Sequence, residues 1–329
     1  MKTLIIGGAG YIGSHVVLEF CNRGKEVFVF DNLSTGHLIN VDSRAEFIEG
    51  SILNQSELNS AFEKIKPKTV IHLAALKAAG ESMIDPMKYS EMNICGSINV
   101  LNMMVKHDVK NIIFSSTAAV YGEPKYLPLN ELHHLNPVNY YGFTKKSIEE
   151  YIQWYAELKG ISYSILRYFN AAGYDVNGKI TGLEKNPQNL LPIVMEVLKG
   201  ERDHLEIYGS DYNTNDGTCE RDYIHVSDLA KAHYLSDQKL NTNNENLIIN
   251  LATGKKYSVL DVINGCESYL GKKVNYKYVG RRMGDPEVLY SKSKLANNKL
   301  NWSPEHSDLE TILKSMYNVY NKTEIGCSL

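Results

Sequence analysis

A chain of 329 residues with 43% apolar and 22% charged residues has the composition of an ordinary globular protein with a full core. Its formal charge of −3 gives no electrostatic case for nucleic acid or an anionic membrane, and no apolar run approaches the ~20 residues of a membrane span. The five cysteines are scattered without CxxC spacing, so they read as reduced thiols in a cytoplasmic protein, not as a disulfide framework or a metal site.

"KTLIIGG" enters a strand at once, with no basic-then-apolar leader, which predicts no targeting segment. Strands are expected over residues 3–7, 26–31, 45–50, 69–74, 111–116 and 163–169, where β-branched and aromatic residues cluster. Amphipathic patterns near 11–23, 56–65, 87–107 and 141–158 predict the helices between them. This alternation implies right-handed crossovers and a buried parallel sheet, an α/β doubly wound fold. After Phe169 the rhythm breaks: residues 170–189 are rich in Gly, Asn and Pro and read as loop, followed by a helix near 190–199. "RDYIHVSDLAKAHYL" then reads as a strand and a helix capped by Ser227 or Asp228.

"IIGGAGYIGSHVVLEF" places Gly7, Gly10 and Gly13 between the first strand and the first helix. Gly7 permits a tight turn, Gly10 lets backbone N–H groups approach a pyrophosphate, and Gly13 lets the helix pack closely on the sheet. Asp31 ends the second strand, where a carboxylate accepts from adenosine ribose hydroxyls and repels a 2′-phosphate. The cofactor expected is therefore NAD rather than NADP.

A Tyr followed four places on by a Lys is an acid–base spacing, and five such pairs occur, against about two by chance. Tyr121/Lys125 is split by Pro124, Tyr155/Lys159 lies far along its helix, and the pairs at 269 and 290 are remote from the nucleotide half. Tyr141 and Lys145 begin a helix shortly after the strand "NIIFSST", on one helix face and at the carboxyl end of the sheet. An ammonium there favours phenolate and lowers the Tyr pKa from about 10. Thr117, just beyond the strand, has a hydroxyl able to relay the proton.

With these residues in place, the chain resembles the extended short-chain dehydrogenase/reductases and, among them, the UDP-glucose (UDP-galactose) 4-epimerases. The likeness runs through "GGAGYIGSH", "DNLSTG", "IHLAALKAAGES", "FSSTAAVYGEP", "YYGFTK", "LRYFNAAG", "QNLLP", "DGTCERDYIHVSDLA" and "RRMGDPEVLY". It implies a Rossmann domain over 1–173 with a return segment at 221–252, and a smaller C-terminal α/β UDP-sugar domain over 174–220 and 253–329. A homodimer pairing the helices near 87–107 and 141–158 is implied as well.

The resemblance implies NAD contacts from Tyr11 and Ile12, from Asp31, Asn32, Leu33, Ser34, Thr35 and Gly36, and from Ser51 and Ile52. Further cofactor contacts fall on Leu73, Ala74, Ala75, Lys77, Tyr141, Lys145 and Phe169, with Lys77 on the nicotinamide side. For a UDP-hexose it implies Lys77, Thr117, Tyr141, Asn170, Asn189, Leu190, Arg221, Arg282, Asp285 and Leu289, with Tyr208 beside the uracil. The implied reaction inverts carbon 4 of the sugar through a transient 4-keto sugar, interconverting UDP-glucose and UDP-galactose with Tyr141 as acid and base.

Four positions depart from the family's commonest pattern. Ser51 stands for Asp, Met92 for Asn, and Thr117 for Ser. Leu289 occupies a position that is Tyr in members confined to UDP-glucose and UDP-galactose, and smaller in members admitting N-acetyl sugars. It leaves UDP-GlcNAc/UDP-GalNAc open as an alternative or additional pair. A nucleotide-sugar dehydratase needs an Asp-Glu pair after the catalytic Thr, where this chain has Ala118 and Ala119. A non-catalytic NAD-sensing protein is the rival from another class.

Overall fold

The computed structural model describes residues 1–282 and 285–322. Cys327 and two residues of the "RRMGDPEVLY" motif, Met283 and Gly284, lie outside them. The first elements are β1 (Lys2–Ile6), α1 (Tyr11–Asn22), β2 (Glu26–Asp31), β3 (Glu46–Glu49), α2 (Gln55–Ile65) and β4 (Thr69–His72). Two short helices, α3 (Ala79–Ile84) and α4 (Pro86–Tyr89), pass through a π-helical turn into α5 (Gly96–Lys106). β5 (Asn111–Thr117), α6 (Tyr140–Lys159) and β6 (Ser162–Tyr168) follow. Then come β7 (Asn170–Ala172), α7 (Leu190–Lys199), β8 (Leu205–Tyr208), β9 (Glu220–Arg221), β10 (Tyr223–His225) and α8 (Val226–Asn243). The remaining described elements are β11 (Leu247–Leu251), β12 (Tyr257–Ser258), α9 (Val259–Leu270), β13 (Tyr276–Val279), β14 (Val288–Leu289), α10 (Lys294–Leu300) and α11 (Leu309–Lys322).

Seven strands pair in parallel in the order β11-β6-β5-β4-β1-β2-β3. This is the doubly wound α/β architecture expected. The winding reverses at β1, flanked by β4 and β2, which puts a crevice at the carboxyl ends of those strands. Both faces of the sheet are apolar because both are covered. Ile5, Val29 and Ile113 pack under α1 and α8, while Leu4, Phe30 and Phe114 pack under α2, α5 and α6. A separate core joins α7, α9 and α11 through Leu191, Val194, Val262, Ile312 and Met316.

Three differences from the sequence reading stand out. The seventh strand, β11, was not among the expected strands; it adds to the sheet edge beside β6 after the long excursion through α7. The stretch read as loop from 170 opens with β7, which pairs in parallel with β10. The cap of α8 is neither Ser227 nor Asp228 but His225, whose Nδ1 accepts from the Ser227 N–H at 3.1 Å. The helix leaves β10 without a spacer, so Asp228 already lies inside it. Its buried carboxylate turns to the Glu305 and His306 N–H groups, each at 3.0 Å.

Candidate active site

The glycine turn follows from close approach. Gly7 has φ +83°, and a Cβ there would sit 2.6 Å from the Ala74 nitrogen; a Cβ on Gly13 would sit 2.0 Å from the Gly7 oxygen. Gly10 differs: its Cβ would meet only the Gly7 oxygen, at 3.4 Å, so the space over the turn is open. No side chain caps α1, and its first turn carries no acidic residue, which leaves the positive helix end facing that space. Such a cradle fits a dinucleotide pyrophosphate. Asp31 is held at the end of β2, accepting from Ala9 N–H at 3.0 Å and Leu33 N–H at 2.8 Å. Two N–H bonds leave carboxylate lone pairs for a ligand.

The segment Asn32–Gly36 folds beside this turn: Ser34 N–H binds the Asn32 side chain at 3.1 Å, and Gly36 is buried against Ala9. Ser51 follows β3, its hydroxyl accepting from Leu53 N–H at 3.2 Å, and Ile52 is buried against Gly96. Leu73 and Ala74 continue β4 by donating to the Ile6 carbonyl. Lys77 forms an ion pair with Glu184 at 2.5 Å, and its ammonium lies 5.9 Å from the centre of the Tyr11 ring. Ile12 packs against the apolar layer beneath α1.

Tyr141 is the second residue of α6, which Asn139 caps by accepting from Gly142 N–H at 2.8 Å. Its own N–H donates to Ser82 Oγ at 2.9 Å, fixing the helix start against α3. Thr117 ends β5. Its hydroxyl oxygen accepts from Ala119 N–H at 3.1 Å, and the hydroxyl lies close enough to the Tyr141 phenol to draw its pKa down. With a lone pair so engaged, the Thr117 proton is free to point at the phenol oxygen. Lys145, buried one turn on, donates to the Ser115 carbonyl at 2.7 Å, and its ammonium stands 4.7 Å from the centre of the Phe114 ring.

The expected lowering of the Tyr141 pKa by Lys145 is not what the geometry gives. Burial pushes the phenol up to about 12, and the Thr117 hydroxyl pulls against that rise. Burial also pushes Lys145 down to about 7, against the opposing pull of Glu149. Desolvation acts on both groups and disfavours both charges. Glu149, another turn along, is buried and ion-paired with Arg167 at 2.6 Å, tying α6 to β6. Tyr141, Lys145 and Glu149 thus line one face of the helix.

Several of the other expected residues come together around Asp285. Asp285 bridges two arginines: Arg221 Nη2 at 2.5 Å and Arg282 Nη2 at 2.9 Å. The Arg282 guanidinium lies 5.4 Å from the centre of the Tyr208 ring. Leu289 on β14 pairs in register with Arg221 on β9, and its side chain joins an apolar cluster with Phe169, Tyr121 and Leu129. Asn170 sits on β7, and Asn189 is the exposed N-cap residue of α7 with no side-chain cap bond, just before Leu190.

Two positioning residues escaped the sequence reading. Ser82 holds the Tyr141 backbone. Asn93 is wholly buried and brackets Leu76, accepting from its N–H at 2.8 Å and donating to its carbonyl at 3.0 Å, while also donating to Thr144 at 3.1 Å. It stands one place beyond Met92.

Comparison with known proteins agrees with this geometry. Residues 3–252 match the NAD dependent epimerase/dehydratase family. A UDP-glucose 4-epimerase of Halalkalibacterium halodurans is 43% identical over 100% of this chain and 98% of that one. The crystal structure of UDP-glucose 4-epimerase from Brucella ovis in complex with NAD is 41% identical, covers 97% of this chain and 98% of that one, and superposes with a TM-score of 0.94. The enzyme from Bifidobacterium longum in complex with NAD+ and UDP is 34% identical, with 99% and 100% coverage and a TM-score of 0.94. The glycine turn, the Tyr141–Lys145 pair on α6 and these full-length likenesses lead to one conclusion: the chain belongs to the NAD dependent epimerase/dehydratase family.

Proposed function

We infer that the chain is an NAD-dependent UDP-glucose 4-epimerase, an isomerase that interconverts UDP-glucose and UDP-galactose. The observation that carries this reading is the Tyr141 phenol beside the Thr117 hydroxyl at the carboxyl end of β5, in a sheet whose first turn leaves an open cradle suited to a pyrophosphate. The glycine turn, Asp31 and the segments after β3 and β4 would hold NAD, which when bound would supply a hydride acceptor and donor for carbon 4 of the sugar. Tyr141 takes the proton from the sugar 4-hydroxyl, with the Thr117 hydroxyl in the hydrogen-bond chain. Loss of that proton from the oxygen together with a hydride from carbon 4 to bound NAD would leave a 4-keto sugar. Arg221 and Arg282 anchor the diphosphate while the sugar turns over, and Asp285 keeps the two guanidiniums in place. Tyr141 then gives its proton back to the oxygen on the opposite face.

The division into a Rossmann part, 1–173 with 221–252, and a UDP-sugar part, 174–220 with 253–329, is supported by β11 joining the large sheet and by the separate core around α7, α9 and α11. A homodimer is supported by an exposed apolar face on α3, α4 and α6 that includes Ile84, Met87, Phe143, Trp154 and Leu158. A cytoplasmic setting accords with the free thiols of Cys21, Cys95, Cys219 and Cys266. No helix among the described residues is long and apolar enough to cross a membrane.

A second reading, activity on UDP-GlcNAc and UDP-GalNAc, is favoured by Leu289, which folds back into the cluster with Phe169. The test is an assay of purified protein with each sugar pair. Turnover without net consumption of NAD, abolished in Tyr141→Phe, is the expected result; a variant with full turnover defeats the assignment.

A further inference from the structure

The connection between β7 and α7 does more than link two elements. Gly182 and Asn40 bind each other reciprocally: Gly182 N–H donates to Asn40 Oδ1 at 2.7 Å, and Asn40 Nδ2 donates to the Gly182 carbonyl at 3.0 Å. Two residues on, Glu184 pairs with Lys77 at 2.5 Å. Asn40 follows β2 and Lys77 follows β4, the two strands flanking β1. Residues 182–184 therefore join the loops that follow the two strands beside β1, one on each side of the glycine turn. Tyr11 supports the crossing from below: its hydroxyl donates to the Gly173 carbonyl, and its ring stacks edge-on against Tyr174 at 5.3 Å. The Glu184 main chain lies close enough to the Tyr174 phenol to draw its pKa down against the rise from burial.

We propose that residues 182–184 form a strap that retains the dinucleotide, with Asn40 and Glu184 as its two fastenings. The proposal rests on the cofactor reading above and assigns roles to residues that reading does not use. The Lys77–Glu184 pair joins a 47% exposed lysine to a 13% exposed glutamate, so water and salt reach the ammonium and compete for it. It is suited to a fastening that opens and closes. Asn40, buried and doubly bonded, is the fixed end; Glu184 is the releasable one. The ends of the connection carry Asn170 and Asn189, so the strap is also continuous with the UDP-sugar contacts.

The test loads the protein with radiolabelled NAD, removes the free dinucleotide, and follows release into excess unlabelled NAD. Glu184→Gln and Asn40→Ala are each expected to speed release about tenfold, since effects at a binding interface fall chiefly on the off-rate. Added salt should speed release from the wild type more than from Glu184→Gln, because only the former has the Lys77–Glu184 pair to screen. A purely structural role would lower the melting temperature of the ligand-free protein without changing this salt response. Release within about twofold of wild type in both variants overturns the strap. A wild type that holds no NAD overturns the cofactor reading itself, a different and distinguishable failure.

Discussion

Lys145 Nζ lies 2.7 Å from the main-chain oxygen of Ser115, so the amine one turn from Tyr141 fastens the end of β5. The group that draws the phenol pKa down is the Thr117 hydroxyl. With the phenol pushed up to about 12 and the amine down to about 7, the ligand-free site near neutral pH holds a protonated phenol. A cationic nicotinamide would favour the phenolate by simple charge attraction.

Tyr141→Phe should lower kcat about 10³-fold and Thr117→Val about 10-fold, the range for losing an acid–base group and one of its hydrogen-bond partners. UDP binding, measured by calorimetry, should stay close to wild type in both. A large loss of UDP affinity in Tyr141→Phe would show that the tyrosine anchors the nucleotide instead.

Lys145 also predicts a slope of stability against pH. Its pKa is about 7 in the fold against an ordinary 10.5, so below 10.5 the unfolded chain binds a proton that the folded chain refuses until about 7. Its stabilising contribution is present above 10.5 and is lost as the pH falls towards 7. The melting temperature of Lys145→Met minus that of the wild type should therefore rise from pH 10 to pH 7 and level off below about 7. A flat difference would mean the amine is solvated.

Arg221→Met should weaken UDP binding about 100-fold, because it removes a guanidinium able to clamp a diphosphate. It should also reduce unfolding free energy by about 1–2 kcal/mol, since Asp285 loses the nearer of its two partners. Urea unfolding and calorimetry read the two effects separately. Unchanged UDP affinity would place the diphosphate elsewhere.

Leu289→Tyr should cut kcat/KM for the N-acetylated pair about 10-fold or more while leaving UDP-glucose within about threefold, as added bulk penalises the larger substrate. Equal losses on both pairs would show that the position shapes the site generally.

Trp154→Glu combined with Leu158→Glu should yield a monomer in sedimentation analysis, because both side chains are exposed on α6 and a charge there opposes apolar pairing. A dimer that survives the double change lies on another face.

Much of this site was legible because its parts are local. Gly7, Gly10 and Gly13 declare a turn through spacing alone, and Tyr141 with Lys145 declares a helix face. What escaped depends on contacts between distant segments. β11 is a strand only because β6 leaves an edge beside it. His225 caps α8 only because β10 runs straight into that helix. Asn93 holds Leu76 across 17 positions, and Glu184 meets Lys77 from the far end of a glycine-rich loop. The pKa of Tyr141 was misjudged for the same reason: a two-residue pattern conveys charge proximity but not burial.

The register pairing of Arg221 with Leu289 has a consequence for how such a protein changes its diet. On the proposed reading, the residue assigned to the diphosphate tail and the residue assigned to size the sugar lie side by side on one short ladder. Widening the head compartment by shifting that ladder would loosen the grip on the tail. New sugars are therefore best admitted by trimming the Leu289 side chain while its backbone stays where it is.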